Sequence, residues 1–218
     1  FYSYLEKFGL KEKTGIDLAG EAKGILHTKE AMGPVELATY SFGQGFQITP
    51  LELMRVASAA VNGGYLITPH IGKALLDETG QTVETFSYEK GAQVLSEETS
   101  ATMRKILESV VAEGTGNKAA VAGYRIGGKT ATSEKLPRRS GKYIASFLAF
   151  APAEDPEVMA LLLIDEPQGT YYGGTVAGPV MGEFLSQVLP YLKVPQTKTE
   201  EVEMLVEVPQ VTGTTVSE

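Results

Sequence analysis

Residues 129–132 bring a lysine and two threonines together in the order Lys-Thr-Ala-Thr, directly after the glycines Gly127 and Gly128. A lysine beside hydroxyl groups can lower the pKa of a hydroxyl and relay its proton. Threonine hydroxyls can bind a carboxylate, and an unpaired N–H on a strand edge can stabilise an oxyanion. The segment also completes the phosphate-loop pattern G-x-x-x-x-G-K-T between Gly123 and Thr130. Whether it is a strand or a loop therefore decides its chemistry.

A phosphate-binding loop needs an apolar strand before it and a helix that begins at the Lys-Thr pair. Residues 117–122, which precede the pattern, form only a short and weakly apolar segment. Residues 131–141, which follow it, contain Pro137 and have no apolar face. A helix is not expected there. The acidic pair Asp165-Glu166 resembles a magnesium-binding strand end, but without that helix we disfavour nucleotide binding.

On a strand, alternation would place Lys129 and Ala131 on one side and Thr130 and Thr132 on the other. Such a strand could form one wall of an active-site cleft. It would still need a nucleophile from another part of the fold.

The surrounding sequence predicts the elements that would position this wall. Strands are expected over residues 122–132, 143–151 and 158–164, joined by short polar links as in an antiparallel meander. The last of them is apolar throughout, which favours the central position in the sheet. Four helices are expected: over residues 1–8, over residues 50–61 with Thr49 as N-cap, after Ser96 as N-cap, and over residues 176–192. A hairpin is expected over residues 67–86, and residues 10–34 should form a surface loop.

The composition argues against several classes of function. The 218-residue chain has a formal net charge of −8, whereas nucleic-acid and anionic-membrane partners require a basic patch. It contains no cysteine, which excludes a disulfide, a thiol nucleophile and a thiolate metal site. Its longest apolar run is much shorter than a membrane span. We expect His27 to be solvated and His70 to be structural.

Several motifs resemble those of a known family. The Gly-Gly-Lys-Thr-Ala-Thr segment resembles the Lys-Thr/Ser-Gly-Thr motif of penicillin-binding transpeptidases and serine β-lactamases. Further segments resemble class B penicillin-binding proteins in family order: Gly43-Gln-Gly45, Asn62-Gly-Gly64, Phe150-Ala-Pro-Ala153, Asp165-Glu-Pro167 and Tyr172-Gly-Gly174. The segment Val208-Pro-Gln-Val-Thr-Gly213 resembles the first strand of a PASTA domain, a combination similar to the sporulation-type members.

The resemblance implies an α+β fold, with a mainly antiparallel sheet and flanking helices. Residues 1–193 would be the C-terminal part of a transpeptidase domain, 194–205 a linker, and 206–218 the start of a PASTA-like domain. The parent protein would lie at the extracytoplasmic face of the cell membrane. An N-terminal segment outside this chain would tether it there, beside the membrane cell-wall synthesis machinery.

The resemblance also implies a D,D-transpeptidase that cross-links peptidoglycan through an acyl-serine intermediate and needs no metal or cofactor. Lys129 would assist proton transfer at the serine. Thr130 and Thr132 would bind the carboxylate of the stem peptide or of a β-lactam, and the N–H of Thr132 would be an oxyanion donor. Glu134 would lie at the substrate site, where its charge would repel an anionic ligand.

The sequence departs from the family pattern at its nucleophile. The only Ser-x-x-Lys runs from Ser87 to Lys90 in a polar loop, and no Ser-x-Asn occurs. We therefore expect the nucleophile to lie upstream of the chain, and the chain alone to be inactive. An uncovered face and a free strand edge would then favour self-association.

Position 131 also departs, since the glycine of the family is Ala131 here. Ala131 and Glu134 together predict that β-lactams acylate the protein only weakly. The same departures leave open a non-catalytic cell-wall binding or scaffolding module.

Overall fold

The structure, a computed structural model, describes residues 1–197 of the chain. Within these residues the helices and strands are α1 (Tyr2–Lys7), α2 (Pro34–Ser41), α3 (Pro50–Val61), β1 (Ala74–Leu76), β2 (Thr82–Thr85), α4 (Glu97–Ala112), β3 (Gly127–Glu134), β4 (Tyr143–Ala151), β5 (Val158–Asp165) and α5 (Gly173–Tyr191), with a 3-10 turn at Asn117–Ala119. The predicted α+β architecture is confirmed. The PASTA-like segment and most of the expected linker lie outside the described residues.

The main sheet is antiparallel and has the order β3-β4-β5. The expectation that residues 158–164 form the central strand is wrong, because β4 pairs with both neighbours. The apolar run of β5 has another cause. Its even-numbered residues Val158–Ile164 pack towards α5 and its Met159 towards α3, so β5 packs on one face along its length and on the other near its start although it lies at the edge of the described sheet.

Helix α5 covers one face of the sheet. Its residues Ala177, Met181, Leu185 and Leu189 are spaced by four and are all buried in the same core cluster as Phe147 of β4. Full burial of a side chain such as Leu185 contributes roughly 1.5–3 kcal/mol. This packing holds β4, and through it the paired strand β3, in a fixed place.

Helix α3 lies against the opposite face, where its Val61 packs with Phe150 of β4. Its predicted start is confirmed by a reciprocal cap. The N–H of Glu52 donates to the Thr49 hydroxyl at 3.1 Å, and the Thr49 N–H donates to the Glu52 carboxylate at 2.6 Å. That carboxylate is 2% exposed and also accepts the N–H of Gly24 at 2.8 Å. It therefore ties the preceding loop to the helix.

Several boundaries differ from expectation. Strand β3 begins at Gly127, five residues later than predicted, because residues 122–126 follow an irregular path in which the Arg125 carbonyl accepts the N–H of Ala153 at 2.9 Å. Helix α5 begins at Gly173 instead of Val176, and the hairpin strands β1 and β2 are shorter than expected. Helix α2 was not predicted.

The start of the expected linker packs against the domain. Val194 is buried in the core beneath the sheet, and the N–H of Thr197 donates to the Gly123 carbonyl at 2.8 Å.

Candidate active site

The glycine pair at the start of β3 lets the strand pack closely on β4. A Cβ on Gly127 would lie 2.1 Å from the Phe150 ring, and one on Gly128 would lie 2.7 Å from the Leu148 carbonyl oxygen. Neither position can accept a side chain without displacing buried groups. The pair thus fixes the point from which Lys129 leaves the packed part of the strand.

The predicted alternation along β3 is confirmed. Lys129 and Ala131 are exposed on one side, whereas Thr130 and Thr132 are half-buried on the other. The Lys129 ammonium donates to the carbonyl of Thr130 at 2.8 Å. The ammonium therefore lies along the strand that also carries both threonines.

The threonine side of β3 faces the first turn of α5. The N–H of Gly173, the first residue of that helix, donates to the Thr132 hydroxyl at 3.1 Å. The first four N–H groups of a helix have no partner within it, and Thr132 supplies one. This bond fixes the orientation of a hydroxyl that, by the family resemblance, would bind substrate.

Gly173 and Gly174 are site residues whose role was not predicted. A Cβ on Gly173 would lie 2.3 Å from the Ala131 carbonyl oxygen, and one on Gly174 would lie 3.2 Å from the Cγ2 atom of Thr130. They let the end of α5 approach the strand at backbone distance. The only signal in the sequence was the Tyr172-Gly-Gly174 motif, which supported the family resemblance without indicating a contact.

The Glu134 carboxylate is used within the loop that joins β3 to β4. It accepts the backbone N–H of Arg139 at 2.6 Å. Arg139 has φ of 66°, a conformation that is uncommon for a residue with a side chain. Glu134 therefore stabilises the turn of this loop, a role that its sequence position did not suggest.

A cluster of charges joins the same loop to the end of β5. The Lys135 ammonium contacts Asp165 at 2.9 Å and Glu166 at 2.8 Å, and Lys142 contacts Glu166 at 3.2 Å. The hydrogen bond to Glu166, followed by that to Asp165, raises the pKa of Lys135. The bond from Lys135, followed by that from Lys142, lowers the pKa of Glu166. The acidic pair, Asp165 and Glu166, thus binds lysines of the loop and stabilises its position.

Three tyrosines lie beside the first turn of α5. The rings of Tyr143 and Tyr171 stack with centroids 3.9 Å apart, and Tyr172 lies tilted against Tyr171 at 4.7 Å. A hydrogen bond with Tyr171 raises the pKa of the Tyr172 hydroxyl. The Tyr172 side chain remains largely exposed. These rings form an aromatic cluster at the start of α5, and periodicity gave no indication of it.

The geometry excludes the phosphate-loop alternative. Gly128, Lys129 and Thr130 lie within a strand that continues to Glu134 and pairs with β4 throughout, so the helix that a phosphate-binding loop requires does not begin at the Lys-Thr pair. The acidic pair contacts Lys135 and Lys142. Within residues 1–197 no group of three or more His, Asp or Glu side chains could hold a metal ion.

The remaining candidates from the sequence lie away from the β3 site. Ser87 is exposed in an irregular segment, and Lys90 instead contacts the Tyr65 ring. Nδ1 of His27, which is exposed, lies 2.9 Å from the Tyr40 hydroxyl, and the His70 ring stacks on Tyr88. No helix in the described part of the chain is both long and apolar enough to cross a membrane.

The sheet, its covering helices and the Lys-Thr-Ala-Thr edge strand define a penicillin-binding transpeptidase domain. The sequence profile of the penicillin-binding protein transpeptidase domain matches residues 1–186. The chain therefore belongs to the penicillin-binding protein transpeptidase family.

Individual relatives agree with this assignment. Stage V sporulation protein D of Bacillus subtilis is 47% identical over 231 residues, which cover 100% of this chain and 35% of that protein. Peptidoglycan D,D-transpeptidase FtsI of Escherichia coli K12 is 37% identical over 84% of this chain and 30% of its own length. The chain thus spans about a third of the length of these relatives.

A solved structure shows the same fold. Penicillin-binding protein 3 of Mycobacterium tuberculosis, in complex with ampicillin, superposes with a TM-score of 0.79 at 27% identity, over 90% of this chain and 46% of that chain.

Proposed function

We propose that this chain is part of a peptidoglycan D,D-transpeptidase that forms an acyl-serine intermediate and binds β-lactams. The observation that carries the proposal is Lys129 and Thr132 on a strand with one free edge in the described sheet, in a domain of the penicillin-binding family. The relatives named D,D-transpeptidase and the ampicillin complex of a related fold support it.

In the proposed mechanism, a serine Oγ attacks the carbonyl between the two terminal D-alanines of a stem peptide. The C–N bond breaks, D-alanine leaves with a proton, and an acyl ester remains on the serine. The amine of a second stem then displaces the serine and forms the cross-link. Lys129 assists proton transfer at the serine, and the hydroxyls of Thr130 and Thr132 bind the substrate carboxylate.

The backbone of β3 can supply an oxyanion donor. Residues two apart in a strand direct their N–H and C=O groups to the same edge. The Thr132 N–H thus shares the edge of the Thr130 carbonyl, which the Lys129 ammonium reaches at 2.8 Å. We assign the Thr132 N–H and the Thr130 carbonyl to the edge of β3 that does not pair with β4, because the Lys129 side chain can approach the carbonyl at that edge. A donor so fixed needs no reorganisation during the reaction.

Ala131 and Glu134 should reduce the rate of acylation by β-lactams. The Ala131 methyl lies on the exposed Lys129 side, where it narrows the space available to a nucleophile. Glu134 adds a negative charge near the site, partly offset by the Arg139 N–H that it accepts. Substituting Ala131→Gly should therefore accelerate acylation, whereas an unchanged rate would show that the methyl does not obstruct the site.

The parent protein is proposed to act at the extracytoplasmic face of the cell membrane, tethered by a segment outside this chain. The 47% identity to a protein named for stage V of sporulation favours a sporulation-type role. Loss of heat-resistant spores, with normal vegetative growth, is the expected phenotype of a gene deletion. A division or elongation defect would contradict this role.

The covalent chemistry can be tested with a fluorescent penicillin and intact-mass spectrometry. The complete gene product should gain one penicilloyl adduct, and the 218-residue chain should gain none, because its Ser87 is exposed in an irregular segment. An adduct on Ser87 would overturn the assignment of the nucleophile to a segment outside the chain. No adduct on the complete product would overturn the proposed function.

A second candidate is a non-catalytic module that binds the cell wall, favoured by alanine at position 131. Sedimentation with purified peptidoglycan separates the two when the chain is compared with its Lys129→Ala variant. Loss of binding in the variant would place the bound peptide at the β3 site. Equal binding, together with failure of the complete product to acylate, would favour the scaffolding module.

A further inference from the structure

The loop between β3 and β4 concentrates positive charge in an acidic chain. Residues 135–142 contain Lys135, Arg138, Arg139 and Lys142 and no acidic residue, whereas the whole chain has a formal net charge of −8. The loop directly continues the strand that bears Thr130 and Thr132. It therefore lies next to the proposed substrate site.

The base of the loop is held by internal bonds. The N–H of Lys135 donates to the Lys142 carbonyl at 2.8 Å, and the N–H of Arg139 donates to Glu134 at 2.6 Å. The acidic pair binds the ammonium groups of Lys135 and Lys142. The three nearby carboxylates are thus engaged at the base, where they offset the two lysines and fix the turn.

The tip of the loop is different. The side chains of Arg138 and Arg139 are exposed, and among residues 1–197 neither guanidinium makes a hydrogen bond or an ion pair. Leu136 lies beside them and is 70% exposed. Two arginines and one apolar side chain are thus presented on a loop whose backbone is already ordered, which lowers the entropic cost of binding.

We propose that this loop tip docks an acidic peptide, namely the part of a peptidoglycan stem that carries free carboxylates and extends beyond Thr132. The inference rests on the proposed function. Guanidinium groups bind carboxylates through paired N–H donors. Since a strand rises about 3.3 Å per residue, a peptide that follows β3 outward from Thr132 reaches the loop within a few residues. Leu136 would contact its aliphatic portions.

The test measures binding of two synthetic stem peptides to the complete gene product, one with free side-chain carboxylates and one with those carboxylates amidated. The unmodified protein should bind the acidic peptide about tenfold more tightly, since exposed charge pairs are individually weak. The double variant Arg138→Gln/Arg139→Gln should lose this preference. Lys73→Gln/Lys105→Gln, which removes the same charge from exposed lysines elsewhere, should keep it.

Equal affinity for the two peptides, or an unchanged preference in the double arginine variant, would overturn the proposal. The proposal would also be overturned if the protein bound a poly(glycerol phosphate) more tightly than the acidic peptide and lost that binding in the double arginine variant. The partner would then be a phosphate polymer. Penicillin acylation, measured in parallel, reports on the proposed function separately. Normal acylation with no peptide preference refutes the docking loop alone, whereas absent acylation refutes the transpeptidase assignment.

Discussion

Substituting Gly173→Ala tests whether the first turn of α5 touches β3 at backbone distance. The added Cβ would lie 2.3 Å from the Ala131 carbonyl oxygen and 2.5 Å from that of Ser146. Ordinary contact begins near 3.4 Å, so the helix end must retreat by about 1.1 Å. The Gly173–Thr132 hydrogen bond, now 3.1 Å long, would then be lost.

The expected cost has two parts. Overpacking against backbone groups costs about 1–3 kcal/mol, and the lost hydrogen bond adds about 0.5–1.5 kcal/mol. We therefore expect the free energy of unfolding, measured with urea, to fall by about 1.5–4.5 kcal/mol. The backbone of Gly173 is not in the left-handed region, so the penalty comes from the contact alone.

Gly178→Ala is a matched control in the same helix. Its Cβ would lie 3.3 Å from the Cβ of Lys118, and an alanine inside a helix gains up to about 1 kcal/mol over glycine. This variant should be as stable as the unmodified chain or more so. If Gly173→Ala also unfolds within about 0.5 kcal/mol of the unmodified chain, the spread of ordinary surface substitutions, then α5 does not approach Thr132 as described.

Other predictions address the buried cap, the charge cluster and the sheet edge. Glu52→Ala should lower the free energy of unfolding, measured in urea, by about 2–3 kcal/mol, because it removes a cap and leaves buried N–H groups unsatisfied. Glu52→Gln should cost less. Equal losses for the two variants would contradict the capping role. The hydrogen bond from Lys135 lowers the folded-state pKa of Glu166, so its stabilisation is present above the ordinary pKa of 4.5 and is lost as pH falls through the folded pKa. The difference in melting temperature between the unmodified chain and Glu166→Gln should therefore vanish in acid, and a constant difference from pH 3 to pH 7 would refute this linkage. In sedimentation velocity at high concentration, the chain should associate through the outer edge of β5. Leu163→Lys should reduce this association, because Leu163 is 42% exposed on that strand. Equal association of the variant and the unmodified chain would locate the contact elsewhere.

Local signals in the sequence predicted the elements that have clear caps or uniform burial. The Thr49-Pro50 start placed α3 at its observed first residue, and β4 was predicted at its observed bounds. Helix α2 was missed because its cap is Gly33 with Glu36, without a hydroxyl or amide side chain at the N-cap. The predicted start of β3 was too early because apolar residues before it pack on the core, although they lie in an irregular segment.

The placement of the candidate site residues was predicted where it depends on strand alternation, and missed where it depends on tertiary contact. The opposite sides of Lys129 and Thr132 followed from strand geometry alone. The bond from Gly173 to Thr132 joins residues 41 positions apart. The bond from Arg139 to Glu134 requires a turn conformation that residue types do not specify. Neither could be derived from spacing.

The central claim is that β3 forms the lysine-bearing wall of an acylating site. Its most direct test is the second-order rate of acylation of the complete gene product by a fluorescent penicillin, with Lys129→Ala compared with the exposed-lysine control Lys105→Ala. Loss of a positioned proton-transfer group costs roughly 100- to 10,000-fold. Lys129→Ala should fall in that range, and Lys105→Ala should match the unmodified protein. Equal rates for all three proteins would contradict the account.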